Sequence, residues 1–215
     1  MADIRRLLQR EPKDLRQRAI AGRKMAGKCL FDADLRGVDG TATCFDEAML
    51  EGARFDGATL RAASFLHAHV AHAKFRDCDL TDAVFAHERT PAKPDHTANY
   101  AQFTNSTLDR ADLSRAPLTY AVFEGASLRG ANLDRAVLVA AQMQGADLAG
   151  ASFAFADLSR ARLERADLSG ANLRFADLSG ANLTDVIVDE STVWRGARFN
   201  QRTRWFDGQR RRPPL

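Results

Sequence analysis

Large apolar residues recur at every fifth position along most of the chain. A first series begins at Leu30 and ends at Phe85, with Gly40 as its one break, and a second runs from Phe103 to Val188 without a gap. Two residues before each large residue stands a small one, most often alanine. The two series hold twelve and eighteen units, so the pattern predicts thirty repeats of five residues.

A period of five fits neither a helix nor a straight strand. On a helix, five residues turn the chain by about 140°, so no apolar stripe forms, and on a strand an odd period sends successive large residues to opposite faces. The pattern is explained if the chain bends once per unit, so that each large residue points to a shared axis and each alanine tucks in near a corner. Backbone groups would then pair between successive coils, as in a β-solenoid.

The order of the large residues indicates how many sides a coil has. From Phe45 to Phe85, phenylalanine alternates with leucine or valine, which is a period of ten. A three-sided coil would stack phenylalanine on leucine, whereas a four-sided coil stacks phenylalanine on phenylalanine along two opposite walls. Phe103 and Phe123, twenty residues apart, would also share a wall. The sequence therefore favours four sides.

Several units resemble the A(D/N)LxX consensus of the pentapeptide-repeat family. Examples are ANLDR at residues 131–135, ADLSG at 166–170 and ANLRF at 171–175, and the resemblance covers roughly residues 25–190. It implies an all-β fold, the right-handed quadrilateral β-helix of that family. Thirty units at four per coil and about 4.8 Å per coil would give a rod about 36 Å long.

A solenoid exposes its core at both ends and therefore needs caps. Ile4, Leu7 and Leu8 have helical spacing and Pro12 would stop the helix, so residues 2–10 are predicted to form an N-terminal capping helix. The predicted organisation is an N-terminal cap (1–24), a first repeat block (25–85), a register break (86–100), a second block (101–190) and a C-terminal cap with a basic tail (191–215).

The register break contains two prolines and no apolar centre, so it is predicted to loop out of the rod. It is either a tolerated surface insertion or, as projecting loops do in some relatives, a contact for a partner. In the second case Arg89 and Lys93 are its candidate binding residues.

Aromatic residues crowd together after the last unit. They either close the rod or pack against a second copy, because in relatives that dimerise the C-terminal module is often the contact. The candidate residues for a homodimer contact are Trp194, Phe199, Trp205 and Phe206.

The net charge of +3 hides an uneven distribution. Residues 1–29 carry nine basic and three acidic groups, residues 30–190 carry fifteen and twenty-four, and residues 191–215 carry seven arginines and one aspartate. The body is therefore acidic between basic ends, which argues against direct nucleic-acid binding by the chain as a whole. No apolar run is long enough for a membrane span, and three cysteines without metal-ligand spacing favour a reduced, cytoplasmic protein.

The outward acidic residues form predicted columns when the sequence is folded every twenty residues. Such an acidic rod, about as wide as a DNA duplex, would present ordered negative charge. The alternative is that aspartate is simply the consensus residue before each leucine, with arginines partly neutralising it. The candidate partner-binding carboxylates are Asp147 over Asp167, Asp157 over Asp177 on the opposite face, and Glu124 with Glu164 two coils apart.

One corner column is predicted to be partly aromatic, and it reads Arg115, Arg135, Phe155, Phe175. Two exposed phenylalanines in line would form an apolar patch, and such patches mark interfaces. Corner residues can also pack flat on their neighbours, so both interpretations stay open.

No residues in the sequence support catalysis or a cofactor. His67, His69 and His72 form an HxHxxH string, but all three occupy outward positions and no acidic or cysteine ligand stands nearby, so solvent-facing histidines are favoured over a metal site. Cys78 replaces a core alanine and is expected to be buried and inert.

The resemblance also implies a function. Members of the pentapeptide-repeat family resemble duplex DNA in shape and charge and protect DNA gyrase from quinolones or other toxins. The chain is therefore predicted to be a non-enzymatic DNA mimic that binds a type II topoisomerase. The alternative is a general protein–protein interaction scaffold.

Overall fold

The computed structural model describes residues 14–16, 20–86 and 100–205, and these residues form one solenoid. They contain no helix, and their β-structure consists of isolated parallel bridges, one residue per unit, rather than longer strands. The predicted N-terminal helix over residues 2–10 lies outside the described residues.

Bridges join residues one coil apart, and over most of the rod that distance is twenty residues. Asn132, for example, pairs with Asp112 before it and Ser152 after it. The bridge residues fall into four columns, so each coil has four walls of one unit each, as the sequence predicts. Wall 1 carries Asp34, Gln102, Arg162 and Asn182; wall 2 carries Asp39, Thr107, Asp147 and Asp167; wall 3 carries Cys44, Asp112, Asn132 and Asn172; wall 4 carries Cys29, Pro117, Asp157 and Asp177.

Backbone hydrogen bonds run along the rod in both directions from each unit. The N–H of Leu133 donates to the carbonyl oxygen of Ser152 in the next coil at 2.7 Å, and the N–H of the preceding residue, Asn132, donates to that of Ala111 in the previous coil at 2.9 Å. Because these groups are buried by the stacked coils, each needs such a partner.

A tight turn at the end of each unit produces the corner. In the unit centred on Leu133, the N–H of Ala136 donates to the Leu133 carbonyl at 3.1 Å. The second corner residue, Arg135, has a φ of 61°, the sign that a type II turn requires at that position. Ala136 then starts the next wall completely buried, which explains the small residue two places before each centre.

The aromatic core confirms the prediction of four walls. Phe45 stacks on Phe65 with ring centroids 4.9 Å apart, and Phe55 stacks on Phe75 at 4.8 Å. Between these two columns the rings meet edge to face, at 5.6 Å for Phe45 and Phe55. Both geometries are favourable for aromatic pairs, so phenylalanine at alternate units fills the axis well.

Gly40, the break in the first series, lies where its neighbours fill the space that a side chain would use. A Cβ at this position would lie 2.7 Å from Leu60 Cδ2, while Ile20 Cδ1 would be 3.6 Å away. The hydroxyl of Thr43, at the small inward position that follows, donates to the Ile20 carbonyl at 2.7 Å. The solenoid therefore continues through the break.

Eight additional residues enter the coil that contains the register break. Lys74 pairs with Gln102, Asp79 with Thr107 and Val84 with Asp112, so the bridge spacing there is twenty-eight residues instead of twenty. The core nevertheless continues, because Phe75 stacks on Phe103 at 5.1 Å. The chain between residues 86 and 100, including the candidate residues Arg89 and Lys93, lies outside the described residues.

The rod is longer than the sequence predicted. Wall 1 contains ten bridge residues from Asp14 to Arg204, which is nine steps of about 4.8 Å, or about 43 Å. The difference arises because coils continue into both segments that were assigned to the caps. At the C-terminal end Asn182 pairs with Arg204 across twenty-two residues, since two residues are inserted into the last coil.

The aspartate or asparagine before each centre stabilises the following turn. Asp147 Oδ1 accepts a hydrogen bond from the N–H of Ala149 at 3.1 Å, and Asn132 Oδ1 accepts one from Asp134 at 3.1 Å. This N–H belongs to the first corner residue. The side chain thus mimics a backbone acceptor, as in Asx-turns, which explains the preference for these two residues.

We predict that Leu133→Asp destabilises the rod by at least about 4 kcal/mol, because it places a carboxylate on the axis in the position of a fully buried leucine. Urea unfolding measures the change. Gln142→Asp is the matched control: it adds the same group at an outward position next to Arg162, and should change the free energy of unfolding by less than about 0.5 kcal/mol. Equal effects of the two substitutions would contradict the assigned register.

Deletion of residues 88–95 should leave the thermal midpoint almost unchanged. The deletion removes eight residues, which restores a spacing of twenty between Lys74 and Gln102, and shortening a loop changes closure entropy only slightly. A control deletion of residues 131–138 removes the same number from within the rod and shifts every later centre out of phase, so it should abolish cooperative unfolding. Loss of the fold on deleting 88–95 would show that this segment pairs with the coils.

Stability should fall as the pH drops from about 4 to about 2. Hydrogen bonds from Arg36 lower the pKa of Asp34 from 3.8 to about 2, and the N–H and hydroxyl of Thr41 lower the pKa of Asp39. A carboxyl group whose pKa is depressed by folding stabilises the fold above its unfolded pKa and loses that effect as the pH falls through its folded pKa. Urea midpoints across this range measure the loss, which should be smaller in Asp34→Asn. Midpoints that stay constant down to pH 2 would contradict the prediction.

Candidate partner-binding surfaces

The carboxylates predicted to form columns do lie in register along the rod. Asp147 bridges to Asp167 on wall 2, and Asp157 bridges to Asp177 on wall 4. Walls 2 and 4 are opposite sides of the coil, as predicted. Each of the four side chains also accepts the N–H of its own turn, at 2.9–3.1 Å. The consensus role of aspartate and its surface charge therefore coexist in the same residues.

Two of these four aspartates are paired with arginine. Arg129 contacts Asp147 at 2.9 Å and Arg198 contacts Asp177 at 2.9 Å. Burial alone would raise the pKa of Asp177, but hydrogen bonds from Ser179 and the nearby Arg198 outweigh it, and the pKa lies below 3.8. Within the described part of the chain, Asp157 and Asp167 have no such ion pair, so one of the two candidate carboxylates on each wall is uncompensated.

Glu124 and Glu164 lie two coils apart at the corner after wall 1, and Gln144 lies between them. Glu164 Oε1 accepts a hydrogen bond from Asn182 at 2.7 Å and lies 3.5 Å from Arg162 Nε. Glu164 Oε2 and Gln144 Oε1 are buried without a hydrogen-bond partner among the described residues. Both glutamates line a shallow groove of about 460 Å³ that also contains Arg165, so this column is only partly acidic.

Phe155 and Phe175 form a stacked, exposed pair at the corner after wall 3. Their ring centroids are 4.9 Å apart and the side chains are 52% and 44% exposed. The Arg135 guanidinium lies over the Phe155 ring at 4.9 Å, a cation–π contact. At the other end the Phe175 ring lies where a Cβ of residue 196 would be, so glycine at 196 leaves room for it. The predicted apolar column therefore exists.

The C-terminal aromatic residues occupy the centres of the last coil. Trp194 and Trp205 are buried, and Phe199 packs between them with ring centroids at 6.1 and 4.6 Å. The hydroxyls of Thr192 and Thr203 donate to carbonyl oxygens of the preceding coil, both at 3.0 Å. These aromatic residues complete the axis, and their use as a dimer contact stays a prediction. Phe206 lies outside the described residues.

The three histidines are spread over a wall and its two flanking corners. His67 and His72 are corner residues with positive φ, and His69 bridges to Met49 on wall 4. Among the described residues no group of three or more His, Cys, Asp or Glu side chains is arranged to hold a metal ion. Burial raises the pKa of the Cys78 thiol to about 12, which keeps it protonated and unreactive at neutral pH.

A second aromatic column was missed by the sequence analysis. His72, Tyr100 and Tyr120 stack at the corner after wall 4, with centroid distances of 5.1 and 5.0 Å. The interval of twenty residues between the tyrosines was a usable signal. The interval of twenty-eight between His72 and Tyr100 was not, because it depends on the size of the insertion.

The comparisons with known proteins agree with this architecture. The sequence model of the pentapeptide repeats matches eight copies, over residues 43–82 and, in overlapping matches, residues 99–185, which is more than half of the chain. No curated protein matches the sequence.

No helix able to cross a membrane occurs in the described residues.

Solved structures of other proteins resemble this chain to different degrees. A trypsin-treated form of QnrB1, described as a plasmid-mediated fluoroquinolone resistance protein, has a TM-score of 0.63 and 20% identity over 85% of this chain and 90% of its own. HetL, involved in heterocyst differentiation regulation in the cyanobacterium Nostoc, is 24% identical over 97% and 98% of the two chains, with a TM-score of 0.30. A thylakoid lumen protein of Arabidopsis thaliana is 33% identical over 43% and 68%, with a TM-score of 0.35.

At 20% identity, the likeness to QnrB1 shows a common fold, the right-handed quadrilateral β-helix, and does not show a common function. Together with the repeats matched along the sequence and the four walls of the structure, it settles the classification. The chain belongs to the family of pentapeptide-repeat proteins.

Proposed function

We propose that this protein works by binding rather than by catalysis, and that its partner is a type II topoisomerase such as DNA gyrase. Pentapeptide-repeat proteins are generally structural or binding proteins without enzymatic activity. QnrB1, whose fold this chain shares, is a fluoroquinolone resistance protein, which is the activity expected of a protein that shields gyrase. The finer proposal rests on the surface of this chain.

The observation that carries the proposal is the pair of carboxylate columns on opposite walls. Asp157 and Asp167 each have one oxygen engaged by a turn N–H and no ion pair among the described residues, so their charge faces solvent. The two carboxylates of each column lie about 4.8 Å apart, a spacing of the same order as the distance of about 3.4 Å between charges along one DNA strand. A narrow rod with charge of this spacing on two opposite sides is suited to a protein channel that accepts duplex DNA.

A general interaction scaffold is the second candidate, and one specific feature favours it. The Phe155–Phe175 pair is an exposed apolar patch at the corner after wall 3, whereas the carboxylate columns lie on walls 2 and 4. Exposed patches of this kind mark protein-binding surfaces. The two candidates therefore assign binding to different residues.

The test is gyrase supercoiling with and without ciprofloxacin, with purified protein at about micromolar concentration. We expect the protein to restore supercoiling in the presence of the drug. The fourfold variant Asp147→Asn/Asp157→Asn/Asp167→Asn/Asp177→Asn should lose this effect. Its fold should survive, because Asn132 and Asn172 accept the same turn hydrogen bond in the native chain.

The control is the Phe155→Ser/Phe175→Ser variant, which keeps all four carboxylates and should still rescue supercoiling. Absence of both inhibition and rescue by the native protein would exclude the topoisomerase proposal. Rescue that depends on the phenylalanines and not on the aspartates would transfer binding to the aromatic corner.

A further inference from the structure

The C-terminal end of the rod carries a groove lined by four arginines. It has a volume of about 860 Å³ and is lined by Arg160, Arg162, Arg202 and Arg204 together with Asn182 and Glu164. We call it the terminal basic groove. All four arginines are exposed. One carboxylate among four guanidinium groups leaves a strong excess of positive charge on an otherwise acidic body.

The coil register places the four arginines in two rows. Arg160 and Arg162 form the row in one coil, and Arg202 and Arg204 form the row two coils further along the rod. On wall 1, Arg162 bridges to Asn182, which bridges to Arg204, so a neutral residue separates two cations. At the adjoining corner Gly180 is flanked in the same way: its Cβ would lie 3.7 Å from Arg160 Cγ and 3.8 Å from Arg202 Cβ. The two rows are therefore two coils apart, about 10 Å, with a floor of small or neutral side chains between them.

Most of this positive charge is not compensated within the rod. Arg162 lies 3.5 Å from Glu164. In the part of the chain that the structure describes, Arg160, Arg202 and Arg204 have no carboxylate within ion-pair distance. Several other arginines of the rod are paired with carboxylates: Arg129, for example, contacts Asp147 at 2.9 Å, and Arg110 contacts Asp82 at 2.8 Å. The groove thus concentrates free guanidinium groups, whose planar forks suit phosphate and carboxylate oxygens.

We propose that the terminal basic groove binds the phosphate backbone of duplex DNA. Two rows of cations about 10 Å apart match the scale of the grooves of the double helix, which separate two rows of phosphates and are about 6 and 12 Å wide. This proposal does not depend on the topoisomerase proposal. The groove is confined to one end of the rod, so DNA binding there is compatible with the expectation that the acidic body does not bind nucleic acid.

A second copy of this chain is a less suitable anion. Some of its carboxylates are in ion pairs, such as Asp177 with Arg198 and Asp82 with Arg110, and Asp157 and Asp167, which have none, each have one oxygen bound by a turn N–H. A phosphodiester has two free oxygens and no competing internal donor. The number of free acceptors therefore favours DNA over self-association.

The first measurement is fluorescence anisotropy with a labelled duplex of about 20 base pairs and the full chain. If all four arginines contact phosphates, the logarithm of the binding constant should fall with the logarithm of salt concentration with a slope of about −3.6. Absence of binding at about 50 mM salt would overturn the proposal.

The second measurement compares two variants that each remove two positive charges. Arg160→Gln/Arg202→Gln should weaken binding at least about tenfold and reduce the slope by about half, because two phosphate contacts are lost. Arg110→Gln/Arg129→Gln is the matched control: these arginines are paired with Asp82 and Asp147, away from the groove. It should weaken binding less than about threefold. Equal weakening by both variants would mean that the groove is not the site.

Two further arms separate the alternative ligands. Inorganic tripolyphosphate that displaces the duplex at equal phosphate concentration would assign the groove to small anions instead of DNA. Sedimentation equilibrium tests the second copy: self-association that is lost in Arg160→Gln/Arg202→Gln would assign the groove to a protein interface. A monomer that binds the duplex and is insensitive to tripolyphosphate is the expected result.

Discussion

The structure depends on one constraint, the hydrogen bonding of every wall to the coils before and after it. Each unit has only five residues in which to make these bonds and turn a corner. The second corner residue therefore adopts a positive φ whether or not it is glycine, as at Arg135 and Phe155, both at 61°. For residues with a Cβ this conformation is unfavourable. It is tolerated because the bonds along the walls, repeated at every coil, hold the corner in place.

The same constraint arranges the surface in columns. An outward residue stacks on the residue one coil later, so similar residues at an interval of twenty become ladders. Phenylalanine produces the Phe155–Phe175 pair, aspartate the columns on walls 2 and 4, and arginine separated by neutral residues the terminal basic groove. Binding surfaces in this fold can therefore change by substitution at one column without disturbing the core.

Aspartate illustrates how structural and functional roles are combined in this repeat. As a turn acceptor it can be replaced by asparagine, and the native chain uses both. The choice between the two residues leaves the turn intact and changes only the charge. The number of aspartates, rather than the presence of an Asx residue, therefore sets the charge of the walls.

The sequence by itself determined the solenoid, its four walls and the members of most columns. The reason is that a strict five-residue period makes both the core position and the outward column a matter of counting, as with Phe45 on Phe65 or Asp147 on Asp167. Counting fails where residues are inserted. Paired residues are twenty-eight apart at the register break and twenty-two apart before Arg204. These spacings depend on the flanking coils, because bridge pairing resumes only where the next unit can form hydrogen bonds with the coil before it. Only the tertiary structure could therefore show the His72–Tyr100 stack and the alignment of Arg202 and Arg204 with Gly180 and Asn182. It also decided which aspartates keep a free charge, since that depends on arginines such as Arg129 reaching from a neighbouring coil.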